Sequence, residues 1–309
     1  MLIEDYKNWL IARQYSVNTV ALYARRIACF LRQYKEPVEA GREDIQDYLI
    51  SLHKAGAGYA TINNHFSAIK NLYGYLSVSG RHTIQLDQNP LKYLMPLRHR
   101  KTVPRIIPDD DLNALFRQIE DLKTLRRCRD YAIMLFLLHG LRAEEICSLN
   151  LDDVYIDGRG VTRKMVIRVT GKGDKERIIV VEKSGDTEWA WERYSEMRSS
   201  INSRCAFPAL MGKGQSKRLT TNGLYHLIAR YAEKAGIKHS NPHLWRHTAA
   251  VRMLEKGVPL KEIQYRLGHE SIATTEKYLG AATILQEEAA HCDWINNLKK
   301  PDARYRRWR

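Results

Sequence analysis

Cysteine is scarce in this chain, and what there is lies scattered. Cys29, Cys128, Cys147, Cys205 and Cys292 are odd in number and form no CxxC pair. Neither a disulfide scaffold nor a cysteine-bound zinc site is indicated. No apolar run approaches the roughly 20 residues that cross a bilayer. The opening MLIEDYKNWLIARQ carries acids early and lacks the pattern of a signal peptide. No HExxH occurs. His239, His243 and His247 recur at four-residue spacing, but Arg246 beside them would repel a metal ion. The expectation is a cytoplasmic protein with no membrane contact, no metal and no cofactor.

Acidic residues are also in short supply. Asp and Glu number 35 against 50 Lys and Arg, a formal net charge of +15. That surplus favours a polyanionic partner, nucleic acid ahead of an anionic membrane surface. At 309 residues the chain has room for two domains.

Residues 1–94 read as a bundle of four or five helices. Ser16 is placed to cap a helix over 17–34, where Val20, Tyr23, Ile27, Phe30 and Leu31 recur at helical spacing. Residues 42–53 follow, then the loop AGAG. Thr61 is a candidate cap for 62–76, with Ile62, Phe66, Ile69, Leu72 and Tyr73 as its buried stripe. Arg25, Arg26, Asn63, Asn64, His65 and Lys70 lie between the stripes. A solvated helical face is the plainer reading of them, and a DNA-facing surface is the one the charge favours.

Residues 95–108, MPLRHRKTVPRIIP, read as an interdomain joint. Prolines resist helix continuation there, and Arg98, Arg100, Lys101 and Arg105 would run along a polyanion held between two lobes. Residues 109–280 read as a second domain. Helices are expected over 109–122, 126–139, 190–199 and 221–236, with the apolar YAIMLFLLH at the centre. Strands are expected over 165–170 and 177–181, joined by the turn GKGDKE that carries Lys172. Residues 211–219 look like an exposed basic loop. Arg142 stands just past a buried helix end, and Glu145 is spaced to hydrogen-bond its guanidinium from behind.

The stretch from Asn241 to Leu279 draws the rest together. Asn241 is an N-cap candidate with Pro242 in the first turn, and His243 and Arg246 share a helical face. Pro259 opens a short helix that Gly268 is placed to stop, leaving His269 on a turn. Tyr278 lies near the end of a third helix. Arginine matches phosphate oxygens with a planar fork. Histidine exchanges protons near neutrality, and a phenol is a nucleophile. Taken singly, each residue is commonplace: a tyrosine near a helix end packs, and a lysine in a turn solubilises. The set as a whole suits an anionic substrate, phosphate above all.

GLRAEEICSL, TGKGDKER, HLWRH, LGH and the tyrosine of TTEKYL, in that order, resemble the motifs of the tyrosine recombinases, or phage integrase family, most nearly the Xer-type and integron-type members. The resemblance covers nearly the whole chain. It implies a mainly α fold with a small antiparallel β-sheet, a two-domain C-shaped clamp of a helical core-binding domain and an α+β catalytic domain. It implies Arg142, Lys172, His243, Arg246, His269 and Tyr278 as the catalytic set. Trp245, where many relatives have leucine, is a departure at a packing position, and Ala249 and Ala250 are a second, smaller one. Tyr278 would attack a DNA phosphodiester to leave a 3′-phosphotyrosyl link, without metal or ATP, and strand exchange would pass through a Holliday junction in a synaptic tetramer on paired duplex sites. Residues 281–309 would be a tail that docks into a neighbouring protomer. Nucleoid association follows from such a role.

Two rivals stand beside this reading: a non-cleaving DNA-binding protein of the same fold, and DNA relaxation of the type IB topoisomerase kind. An intact set including a phenol speaks against the first, and the helical first third against the second. The short N-terminal part disfavours a plan with an extra arm-binding domain. The target sequence, the biological role and the need for a second recombinase or accessory factor stay open.

Overall fold

A computed structural model describes residues 2–79, 89–91, 94–97, 105–119, 121–159, 163–171, 175–181, 186–210, 217–269 and 275. The chain divides into two compact units, Met1–Lys101 and Thr102–Arg309. The fold is mainly helical with small antiparallel sheets. Among the described residues no helix is long and apolar enough to cross a membrane.

The first unit holds helices α1 (Leu2–Ala12), α2 (Val17–Gln33), α3 (Arg42–Lys54) and α4 (Tyr59–Val78). Its core is built from Tyr6, Leu10, Ile27, Phe30, Tyr48, Phe66 and Tyr73 among others. Ser16 caps α2 by accepting from the Thr19 N–H at 3.2 Å. Thr61 is not the cap of α4. Gly58 takes that position in an extended conformation, so the helix starts earlier and Thr61 falls within its first turn.

The second unit is organised on α6 (Leu125–Leu138), preceded by α5 (Asp109–Arg117). Every residue of α6 from Cys128 to Leu138 is buried. Arg129 and Asp130 are carried inside with them, and Arg129, Arg230 and the Tyr231 hydroxyl all donate to the Asp130 carboxylate. A buried carboxylate without such partners would cost several kcal/mol. After α6 come α7 (Ala143–Ser148) and a three-stranded antiparallel sheet of β1 (Val154–Asp157), β2 (Lys164–Thr170) and β3 (Glu176–Val181). Helix α8 (Asp186–Met197) packs on α6. The remainder is the short pair β4 (Pro208–Ala209) and β5 (Lys217–Arg218), then α9 (Thr221–Lys234), α10 (Pro242–Glu255) and α11 (Leu260–Leu267).

Three strands are additional to the two that alternation suggested. β1 has four residues and β4 and β5 have two each, too short for a period to register. Residues 211–216 lie outside the described set, but Arg218 is more than loop. Its guanidinium donates to the carbonyls of Cys147, Ser148 and Leu149, which end α7, and to the Asn150 side chain. Ile107 is buried, and its N–H donates to the Thr248 hydroxyl of α10 at 2.8 Å.

Candidate active site

Helix α6 stops at Gly140, which sits at φ +84°, a region open to glycine at low cost. A Cβ there would stand 2.7 Å from Leu267 Cδ2. The end of α6 is therefore pressed directly against the end of α11. Arg142 follows in extended conformation as the N-cap of α7. Its backbone N–H donates to Glu145 Oε2 and its Nη1 to Glu145 Oε1, both at 2.7 Å. The side chain thus folds back along its own helix start, as the three-residue spacing suggested.

Helix α10 supplies Arg246. Asn241 accepts from the Leu244 N–H at 3.0 Å with Pro242 behind it, which sets where the helix starts. Trp245 then fills the core, fully buried and edge-on to Phe116 at 5.9 Å between ring centroids. This anchors the next residue. Arg246 is 2% exposed, and its Nη1 donates to the Gly140 carbonyl at 2.6 Å and its Nη2 to the Leu267 carbonyl. His243 lies one turn earlier, exposed, with its ring edge-on to that of His247 at 4.3 Å.

Helix α11 ends on Gly268 at φ +60°, in the left-handed region. The last carbonyls of a helix lack partners within it and carry partial negative charge. Three arginines from three different elements fill that role. Arg177 Nε of β3 donates to the Arg266 carbonyl at 2.8 Å. Arg246 takes Leu267, and Arg142 Nη2 takes Gly268 at 2.8 Å. His269 follows immediately. Its N–H donates to the Gln264 carbonyl, its carbonyl accepts from the Gln264 side chain, and its Nδ1 shares a 2.8 Å hydrogen bond with the Thr275 hydroxyl.

Arg177 is the residue that reading the sequence did not single out. It lies 6% exposed on β3, and its Nη1 and Nη2 donate to the two oxygens of Glu145, each at 2.8 Å. Burial by itself would push the Glu145 carboxyl up. The Arg177 hydrogen bonds and charge, joined by the Arg142 donors, outweigh it and hold the group below the ordinary carboxylate range. The missed signal was alternation. Arg177, Ile179 and Val181 share the inward phase of β3, yet Ile178 and Val180 make the outward phase equally apolar in sequence. Only the strand pairing decides which face an arginine occupies.

Of the expected site residues, the structure brings Arg142, Glu145, Arg246 and His269 to one helix end, with His243 on the same helix as Arg246. Lys172 and Tyr278 lie outside the described residues, as do Arg98, Arg100 and Lys101. Arg25, Asn64, Lys70 and Arg105 are exposed and Arg26 is half-buried. His65 is a correction. It is 2% exposed and hydrogen-bonds the Tyr48 hydroxyl at 2.9 Å, because its position belongs to the buried stripe of α4 rather than to the face between stripes. Asn63 is half-buried, and its amide binds both the N–H and the carbonyl of Leu97.

Residues 105–283 match the model of the phage integrase family, and residues 3–80 match that of the phage integrase N-terminal SAM-like domain. Tyrosine recombinase XerD of Listeria monocytogenes is 30% identical over 290 residues, covering 90% of this chain and 93% of that protein. The crystal structure of XerH site-specific recombinase bound to palindromic difH substrate, a post-cleavage complex, aligns with a TM-score of 0.71 at 20% identity. That alignment covers 89% of this chain and 80% of the other. A lambda integrase tetramer bound to a Holliday junction aligns with a TM-score of 0.67 at 16% identity, over 90% of this chain and 76% of the other.

Proposed function

Because this chain belongs to the phage integrase family of tyrosine recombinases and is a site-specific DNA recombinase, we propose that the cluster at the end of α11 is the phosphate-activating half of its active site. The convergence of Arg142, Arg246 and His269 on consecutive residues carries the reading. Guanidinium groups held by carbonyls at a helix end are preorganised and need no rearrangement when charge develops on an oxyanion. Arg142, with a side chain 38% exposed, presents its fork to a non-bridging phosphate oxygen.

In this scheme the Tyr278 oxygen attacks phosphorus while the bond from phosphorus to the 5′-oxygen breaks. His243 takes the phenolic proton and Lys172 delivers one to the departing 5′-oxygen. Arg142, Arg246 and His269 stabilise the charge of the pentacoordinate transition state. The product is a 3′-phosphotyrosyl link that keeps the bond energy, so no nucleotide is consumed. Attack by the 5′-hydroxyl of a partner strand restores the phosphodiester and frees the tyrosine. Two rounds pass through a Holliday junction in a tetramer on paired duplex sites.

Arg25, Arg26, Asn64, Lys70, Arg98, Arg100, Lys101 and Arg105 would meet DNA phosphates. Residues 281–309 would join neighbouring protomers, and the protein would work in the cytoplasm, associated with the nucleoid. Support for a DNA-bound tetramer comes from the lambda integrase complex of like fold. The test begins with a duplex captured covalently by the purified protein from a randomised pool. Wild type forms an adduct on that duplex that survives denaturation. Tyr278→Phe binds the same duplex and forms none. An adduct with the phenylalanine variant overturns the scheme, and relaxation of a plasmid lacking the captured site turns it toward a topoisomerase.

A further inference from the structure

We propose that Arg177 is a positioning residue for the cleavage reaction, acting on Arg142 through the shared Glu145 carboxylate and on His269 through the end of α11. This rests on the phosphate-activating reading above. All three Arg177 nitrogens are committed to protein acceptors, and two of them face a carboxylate that already balances its charge. Two of them bridge the Glu145 oxygens and the third holds the Arg266 carbonyl. Glu145 Oε1 receives Arg142 Nη1 and Arg177 Nη1, and Oε2 receives the Arg142 backbone N–H and Arg177 Nη2. Both carboxylate oxygens therefore accept two donors each, one from either arginine.

The charge balance is the point of the arrangement. With Arg142 as sole partner, Glu145 would neutralise the guanidinium that must serve phosphate. Arg177 supplies a second counter-charge, so Glu145 orients Arg142 without cancelling it. Partners of this outer kind commonly change activity by about 10- to 100-fold when removed. Gly268 completes the fit, because a Cβ there would stand 2.9 Å from Arg177 Nη1 and 3.3 Å from Arg142 Nη1. Those two arginines and the helix end are packed against one another with no room between.

The experiment measures single-turnover adduct formation, duplex affinity and thermal unfolding on the full-length protein, with the duplex captured by wild type. Arg177→Lys keeps a charge but cannot bridge two carboxylate oxygens and a carbonyl, since its donors radiate from one point. Its unfolding midpoint should drop, since buried acceptors lose donors, but at temperatures where it is fully folded it should bind with unchanged affinity and form adduct at least about tenfold more slowly. Arg177→Met should be slower still. The combined Arg177→Met, Glu145→Gln protein should recover part of the lost rate, because the unbalanced carboxylate has been removed. A merely structural role predicts losses that add and no recovery.

The proposal is overturned if Arg177→Lys cleaves at the wild-type rate, if its loss of rate only follows loss of folded protein or of affinity, or if the combined variant is slower than Arg177→Met. Should Arg177→Met not fold, Arg177→Lys against Glu145→Gln decides: Glu145→Gln must then keep more rate than Arg177→Lys. Failure of wild type to form any adduct would sink the recombinase scheme instead, so the two failures are distinct.

Discussion

Arg246 and Arg142 hold the carbonyls of adjacent residues, Leu267 and Gly268, at the end of α11. Arg246 also reaches the Gly140 carbonyl at the end of α6. The two helix ends that meet at the site are thus tied together by the side chain proposed to bind phosphate. Stability and chemistry share the same hydrogen bonds, which makes the following outcomes separable by measurement.

Arg246→Lys offers one ammonium where two buried carbonyls need donors. An unpartnered buried polar group costs about 1–3 kcal/mol, so the unfolding midpoint should drop. Loss of one preorganised donor should slow adduct formation by about 10²- to 10³-fold with duplex affinity nearly unchanged. A rate within about twofold of wild type would exclude Arg246 from the reaction.

Gly268→Ala should slow cleavage beyond its effect on stability. A left-handed residue with a Cβ costs about 1–2 kcal/mol anywhere. Gly236→Ala is the control, at φ +73° with nothing within 4 Å of its Cβ position. Gly268→Ala should lose more stability than Gly236→Ala, because its Cβ must also displace Arg177, and only Gly268→Ala should lower the rate of the folded protein. Equal rates for the two would show that the close approach does not matter.

Acid should weaken the first unit through His65. Burial, then the charge of Arg26, lowers its pKa to about 4 from the ordinary 6.5. Between those values the unfolded chain binds a proton that the folded chain refuses, so stability falls as pH drops through that window. His65→Gln should flatten the fall. Urea midpoints for wild type and variant, compared near pH 7 and near about pH 5, should differ in slope, and parallel slopes would count against the buried neutral imidazole.

Much of the local structure was legible beforehand. The Asn241 cap with Pro242 behind it, the Ser16 cap and the left-handed stop at Gly268 all act through hydrogen bonds or sterics within a few residues, and they stand where the sequence put them. The apolar period of α6 announced a buried helix for the same reason. Thr61 failed as a cap because Gly58, immediately before the first residue of α4, adopts the extended cap conformation and starts the helix earlier.

The sequence by itself determined the longer helices, the two longer strands and the family, and it singled out side chains suited to phosphate chemistry. Only the tertiary structure decided which of those side chains meet, and it added Arg177 and withdrew His65. Caps and periodicity are local, while Arg246 reaches a carbonyl 106 residues away and Arg142 one 126 residues away. Such contacts depend on how α6, α10, α11 and β3 pack, and no local pattern encodes that.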